Sequence, residues 1–159
     1  MIYEMRRKMA ESNLERFENN ESLRKQVDKL NQFIPISFGL LDNPEFRNRY
    51  MTKKRFRTYL WLRRNVIRGF KGNDPARIYL NYWMNGKLAA SLTQEKLSKD
   101  LNLPKSTISD HLRQLEQDGV LKIDIIPAEE TEDGQEHRVY VLGSCLKAKE
   151  EWFIDEIFK

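Results

Sequence analysis

The sequence contains a single cysteine, Cys145, and only two histidines, His111 and His137, among its 159 residues. One cysteine excludes an intramolecular disulfide and any zinc site that needs two or more thiolate ligands. The two histidines lie far apart in the sequence, so they do not have the spacing of a metal-binding motif. We therefore expect neither a metal site nor a bound cofactor.

Sequence motifs for membrane insertion and for catalysis are also absent. No apolar run approaches the roughly 18 residues of a membrane helix, and the first ten residues carry charges throughout, unlike a signal peptide. The chain has no Walker A loop, no G-x-G-x-x-G and no H-E-x-x-H, and no serine or cysteine has a plausible histidine partner. These absences predict a cytoplasmic binding protein that is neither membrane-bound nor an enzyme.

The length and composition suit one domain with helical appendages. Hydrophobic residues make up 40% of the chain and charged residues 33%, which is enough apolar material for a single modest core. Pro35 and Asn43-Pro44 bracket a connector. The sequence predicts a helical extension and connector over 1–45, a main domain over 46–143 and a C-terminal helix over 144–159.

The positive charge of the chain is concentrated in one short segment. Between Phe46 and Asn73 there are ten lysines and arginines and no acidic residue, although the net charge of the whole chain is only +4. Charges meant for internal pairing are usually interleaved with their partners. The segment therefore favours contact with a polyanion, the alternative being a solvated face or one docked on acidic parts of the protein.

This segment predicts an amphipathic helix from about Thr52 to Arg68, with Gly69 just past its end. Trp61 lies among the basic residues, where it can stack on an unpaired base or contact a partner protein. Arg63 falls within the apolar face, so we expect it to snorkel at an edge or pair with a carboxylate. The residues of the basic face are Lys53, Lys54, Arg57, Arg64 and Arg68.

Weaker patterns flank this helix. Residues 1–32 contain neither glycine nor proline and predict two helical pieces, which either pack on the domain or form a dimer contact. Residues 75–84 predict a helix, Asn85-Gly86 a turn, and Leu88–Ser91 a short strand.

The most specific pattern begins at Thr93, a residue type that caps helices. Leu97 and Leu101 form an apolar i, i+4 pair, and Asn102 suits the left-handed conformation of a sharp turn. Pro104 opens a second helix, whose apolar residues recur with helical spacing until Gly119 ends it. The pattern predicts two short helices joined by a tight turn.

These residues resemble a known family. The run T-Q-E-K-L-S-K-D-L-N-L-P-K-S-T-I-S-D-H-L-R-Q-L-E-Q-D-G-V-L, residues 93–121, is similar to the helix-turn-helix of bacterial winged-helix DNA-binding domains. The alternating residues of Val120–Ile126 and His137–Leu142, separated by a polar loop, predict the hairpin called the wing. The expected fold is mainly α with a small β-hairpin, an α+β winged helix-turn-helix with extra N- and C-terminal helices.

The resemblance implies that the second helix enters the major groove of double-stranded DNA. Arg113 is expected to bind guanine and Asp110 to accept a hydrogen bond from cytosine, although an ion pair between the two is equally compatible with their spacing. His111 is expected to be a helix-surface or semi-buried packing residue rather than a residue that reads bases. The outward positions of the helix are Lys105, Ser106, Thr107, Ser109, Asp110 and Arg113.

The wing departs from the family pattern because its loop is acidic. Carboxylates near DNA phosphates weaken binding, so we expect the wing tip to stay away from DNA and only Arg138, at its base, to reach a phosphate. The basic helix would then supply the backbone contacts. The acidic residues of the loop are Glu129, Glu130, Glu132, Asp133 and Glu136.

Three functions fit the sequence. The first is a sequence-specific transcriptional regulator, which we expect to be a homodimer formed through its N- or C-terminal helices. The second is a replication-initiation or primosome-type protein of a plasmid or phage, because the layout of residues 33–143 is similar to the winged helices of such initiators. The third is a protein–protein adaptor that binds partners through Trp61 or the acidic wing.

Overall fold

The computed structural model describes residues 32–67, 81–131, 133–146 and 149–159, together with six isolated positions before residue 32. Most of the predicted N-terminal helical pieces and most of the helix predicted over 75–84 lie outside the described residues, although the six isolated positions and residues 81–84 are helical. The named helices are α1 (Phe38–Asp42), α2 (Lys54–Arg64), α3 (Gln94–Leu101), α4 (Lys105–Gln117) and α5 (Phe153–Ile157). One π-helical turn (Phe46–Tyr50) precedes α2, and one 3₁₀ turn (Ala128–Glu130) lies in the loop between β2 and β3. The strands are β1 (Lys87–Ala90), β2 (Lys122–Ile126), β3 (His137–Leu146) and β4 (Lys149–Trp152).

The four strands form one antiparallel sheet in which β3 pairs with each of the others. β2 pairs with the first half of β3 and makes the predicted wing hairpin. β1 pairs with its middle, where Ala90 lies opposite Tyr140. The α+β winged-helix architecture is therefore as expected, with a sheet larger than the predicted hairpin.

The hydrophobic core lies between the sheet and the helices. Tyr140 and Leu142 of β3 share one cluster with the buried side chains of α2, α3 and α4. Alternate residues of the same strand, Val139 and Val141, point to a smaller cluster on the other face, as the period of two in a strand requires. The sheet thus holds α3 and α4 at one face.

The basic helix is shorter than predicted. We expected it to run from Thr52 to Arg68, but α2 ends at Arg64. Val66 forms an antiparallel bridge with Ala90, and the amide of Ile67 donates to the carbonyl of Ala89 at 2.9 Å. The backbone leaves the helix because the edge of β1 offers it hydrogen bonds.

The prediction of a helix over 144–159 is wrong for most of that range. β3 continues to Leu146, the chain returns as β4, and only Phe153–Ile157 is helical. The aromatic side chain of Trp152 is buried at the end of β4. An open edge of β3 captures the segment as a strand, which overrides its local helical spacing.

Arg63 is buried rather than snorkelling at an exposed edge. Only 2% of the residue is exposed, and its guanidinium lies 4.1 Å from the ring centroid of Trp152 and 5.8 Å from that of Tyr59. It also donates to the carbonyl of Pro35. The apolar face therefore accommodates Arg63 through aromatic rings and a backbone acceptor.

Candidate nucleic-acid interface

The first helix of the motif begins and ends as its sequence predicts. The hydroxyl oxygen of Thr93 accepts a hydrogen bond from the amide of Lys96 at 3.0 Å, which caps α3. Asn102 follows the helix in the left-handed conformation, with φ of 53°. Ser98 donates to the carbonyl of Leu103 and so fixes the turn into α4.

The inner side of α4 is anchored to the core. Ile108, Leu112 and Leu115 are buried, and Gly119 ends the segment with φ of 80°. His111 is buried as well, and its Nδ1 lies 2.8 Å from the hydroxyl oxygen of Thr58 in α2. Burial first, and then the positive charge of Arg55, lowers the pKa of His111, which is thus a packing residue, as expected.

The outer side of α4 is open to solvent. Asp110 and Arg113 form an ion pair, with 3.1 Å between Oδ1 of the aspartate and a guanidinium nitrogen of the arginine. This pairing is the alternative to base contacts that their i, i+3 spacing also predicted. Lys105 lies 3.7 Å from Glu95 at the start of α3, and Thr107 is half-buried. The exposed residues on this side are Lys105, Ser106, Ser109, Asp110 and Arg113.

The basic residues near α2 do not all share one environment. Lys53 and Lys54 are exposed at the start of the helix, Lys53 being the residue before its first turn. Arg57 is exposed and donates to the carbonyl of Leu101, the last residue of α3, at 3.1 Å. Arg64 is also exposed, and Arg68 lies outside the described residues.

Trp61 packs against α3. Its indole nitrogen donates to Asp100 at 3.1 Å, and the guanidinium of Arg64 lies 5.0 Å from its ring centroid. The hydrogen bond from Lys96, followed by the one from Trp61, lowers the pKa of Asp100. Trp61 is therefore half-buried in a contact within the domain. Part of its ring is covered by the protein itself, which leaves a smaller surface for the base or the partner protein that the sequence suggested.

Arg55 has a role that the sequence reasoning missed. Its Nε lies 2.7 Å from Oδ2 of Asp118, just past the end of α4, and Tyr50 donates to the same oxygen at 2.8 Å. Hydrogen bonding to Asp118 raises the pKa of Arg55. The helical spacing could have predicted this role, because Arg55 lies seven positions before the apolar Leu62 and therefore on the same face of the helix. Arg55 joins α2 to α4 instead of facing solvent.

Hydrogen bonds within the wing loop connect some of its residues to one another. Asp133 accepts hydrogen bonds from the amide of Gln135 at 3.0 Å and lies 2.8 Å from Nε2 of His137. These two contacts, the first being the stronger, lower the pKa of Asp133. Glu129 and Glu136 are exposed, whereas Glu130 is buried. Arg138, at the base of the wing, is exposed, and Glu132 lies outside the described residues.

Comparison with known proteins identifies this part of the chain. Residues 74–122 match the family described as "Bacterial regulatory protein, arsR family". The matched range covers β1, α3 and α4 and ends at the first residue of β2. No curated protein and no solved structure matches the chain. The fold of this region is therefore that of a winged helix-turn-helix, and the family that it matches consists of DNA-binding regulators of transcription.

Two further findings concern the described residues only. No three of their histidine, cysteine, aspartate and glutamate side chains lie together as a metal site would require. Within the same residues, every helix is too short or too polar to cross a bilayer.

Proposed function

We propose that the protein is a transcriptional regulator that binds double-stranded DNA in a sequence-specific manner, with α4 in the major groove. The observation that carries the proposal is the difference in burial between the two sides of α4. Its inner side chains, such as Ile108 and Leu112, are buried, while its outer side is exposed and polar. A helix held in this way presents hydrogen-bonding groups to base edges.

Base reading is assigned to the outer side of α4, from Ser106 to Arg113. Ser106 and Ser109 can donate or accept, and Arg113 can bind O6 and N7 of guanine. The ion pair between Arg113 and Asp110 is exposed on both sides, and such pairs contribute about 0.2–1 kcal/mol. A bidentate contact with guanine therefore replaces this pair at little cost.

Contacts with the phosphate backbone are assigned to the basic residues beside α2. From Gln94 to Asp118 the sequence has four basic and five acidic residues, so the helix pair supplies little non-specific affinity. Arg57 lies against the last residue of α3, next to the turn that leads into α4. The proposed backbone contacts are Lys53, Lys54, Arg57, Arg64, Arg68 and, at the base of the wing, Arg138.

The proposed regulator is a homodimer in which the second copy covers an apolar surface formed by α1 and α5. Phe38 of α1 is 84% exposed and Ile157 of α5 is 45% exposed. The two helices are neighbours, because Ser37 donates to Asp155 at 3.0 Å. Exposed aromatic side chains of this size are frequent at interfaces. Light scattering after gel filtration is expected to give twice the chain mass, and Phe38→Ser to shift it toward the monomer.

Selection of bound duplexes from a random pool tests the proposal. We expect the full-length protein to enrich one palindromic site and to protect it in a footprint. Ser109→Glu adds a carboxylate to the outer side of α4 and should abolish selection. Gln117→Glu adds the same charge at the other end of the helix and serves as the matched control.

Two results would contradict the regulator proposal. Enrichment of repeated sites without dyad symmetry would favour a replication initiator. Binding to duplex DNA that is no stronger than binding to heparin, and that is equal in both variants, would favour an adaptor that uses the acidic wing.

A further inference from the structure

Arg63 is the most deeply buried of the arginine, lysine, aspartate and glutamate residues that the structure describes. It is 2% exposed and lies in the last turn of α2, next to exposed Arg64. Removing a charge from water is costly, and an apolar side chain of similar length would fill the same space without that cost. The contacts of the guanidinium therefore indicate what the charge contributes.

These contacts hold two distant segments of the chain against α2. The guanidinium donates to the carbonyl of Pro35 and lies 4.1 Å from the ring centroid of Trp152. A planar guanidinium can stack on an aromatic ring and donate to an acceptor in its own plane at the same time, which an ammonium group cannot do. Arg63 thus connects residues that are 117 positions apart in the sequence.

Each of the two segments leads into one helix of the apolar surface proposed for the dimer. Pro35 lies two residues before Ser37, which caps α1, and Trp152 is the residue just before α5. The hydroxyl of Ser37 donates to Asp155 of α5 at 3.0 Å. One side chain of α2 therefore holds the points at which α1 and α5 begin.

The segment before α1 depends strongly on this anchor. Within the described part of the chain, the backbone of Phe33–Ile36 makes no other hydrogen bond. α1 itself has five residues and one buried side chain, Leu40. A helix this short does not hold its own position, so the direction of α1 follows from the segments that flank it.

We propose that Arg63 is a positioning residue for the homodimer, an inference that rests on the proposed function. It holds α1 against α5, so that Phe38 and Ile157, both exposed, form one apolar surface for the second copy. Arg63 is buried within its own protomer and acts through Pro35 and Trp152, without touching the second copy. Its loss is therefore expected to weaken the dimer more than it destabilises the fold.

Sedimentation equilibrium of the full-length protein without DNA tests this role. Arg63→Met should raise the dimer dissociation constant about tenfold, the equivalent of one lost hydrogen bond to a charged group. The midpoint of urea unfolding, measured where the protein is monomeric, should change little, because the cost of burying the charge disappears together with its contacts.

Two further variants separate positioning from filling of the core. Arg63→Lys keeps the charge and a donor for Pro35 but loses the stacking on Trp152, so its dissociation constant should lie between those of Arg63→Met and the unchanged protein. Arg49→Met removes an exposed arginine of the π-helical turn and should leave both the dimer and the unfolding midpoint as they were.

Several results would overturn the inference. A folded Arg63→Met variant with an unchanged dissociation constant would make Arg63 a core residue only. If that variant does not fold, an unchanged constant in Arg63→Lys has the same meaning. A monomeric unchanged protein would also overturn it, although selection of a duplex would still support the regulator. Failure of that selection contradicts the regulator, whereas the dimer constants, measured without DNA, still decide the role of Arg63.

Discussion

His111 of α4 is hydrogen-bonded to Thr58 of α2, with 2.8 Å between Nδ1 and the hydroxyl oxygen. Both residues are buried. The bond connects α2, which carries the proposed backbone contacts, with α4, which carries the proposed base contacts. The contact between the two helices therefore includes a histidine whose pKa is lowered by burial.

We predict that this contact makes stability depend on pH. The pKa of His111 is lowered in the folded protein, first by burial and then by Arg55, whereas the unfolded chain has the ordinary value of about 6.5. The unfolded state then binds the proton more strongly, so this contribution is complete above pH 6.5 and is lost as the pH falls. Urea unfolding between pH 7.5 and 5.5 should show a smaller decrease for His111→Gln than for the unchanged protein. Equal decreases would contradict the role of His111, because His137 is present in both proteins.

The pair of Arg55 and Asp118 is predicted to stabilise the same junction. Their side chains are only 19% and 22% exposed, and the closest atoms are 2.7 Å apart. Asp118→Asn should lower the free energy of unfolding by about 1–3 kcal/mol, because it leaves a partly buried guanidinium without its counter-charge. A double-mutant cycle with Arg55→Met measures the coupling by urea unfolding.

A matched exposed pair provides the control. Arg49 and Glu45 are 3.5 Å apart, with side chains 75% and 60% exposed, so breaking their pair should change stability by less than about 0.5 kcal/mol. If breaking either ion pair lowered the free energy of unfolding equally, the partial burial of Arg55 and Asp118 would not explain the stabilisation.

Removal of two basic residues from α2 is predicted to alter the salt dependence of DNA binding. For Arg57→Ala with Arg64→Ala, the slope of log affinity against log salt should become shallower by about 0.9 for each lost phosphate contact. Sequence preference should be largely unchanged, since neither residue is assigned to a base. Fluorescence anisotropy at several salt concentrations measures the slope, with Arg49→Ala as the control. An unchanged slope would remove this surface from the interface.

Arg113→Ala is predicted to relax sequence preference at one base pair. Loss of a bidentate contact with guanine should reduce discrimination there by about 1–3 kcal/mol. Thermal unfolding should be nearly unaffected, because the ion pair that is lost, with Asp110, is exposed. Competition by duplexes with single substitutions measures the preference. A uniform loss of affinity at all positions would instead indicate that Arg113 contacts the backbone.

Gly143→Ala is predicted to be strongly destabilising. A Cβ at this position of β3 would collide with the carbonyl oxygen of Glu151 and lie 2.9 Å from Cα of Trp152 in β4. Backbone atoms of a paired strand cannot easily move, so we expect a loss of about 2 kcal/mol or more. Gly39→Ala is the control, because a Cβ there meets nothing within 4 Å. Equal unfolding midpoints for the two variants would contradict the close approach of β4.

The helix-turn-helix could be predicted because its signals are local. The cap at Thr93, the left-handed turn at Asn102 and the end at Gly119 each depend on residues within a few positions along the chain. The periodic burial of Ile108, Leu112 and Leu115 follows from one helix facing one core. The same reasoning anticipated the exposed outer side of α4, whereas His111 is more deeply buried than the surface or semi-buried position expected for it.

The sequence by itself thus determined α4, the turn before it and the hairpin of β2 and β3. Only the tertiary structure decided where α2 ends, because Val66 is held by Ala90, a residue 24 positions away. It also decided that residues 149–152 pair with β3 and that the aromatic ring of Trp152 covers Arg63. In each case a strand edge or an aromatic surface from a distant part of the chain overrides the helical preference of the local sequence. A pattern in neighbouring residues cannot predict contacts with residues that are far away in the sequence.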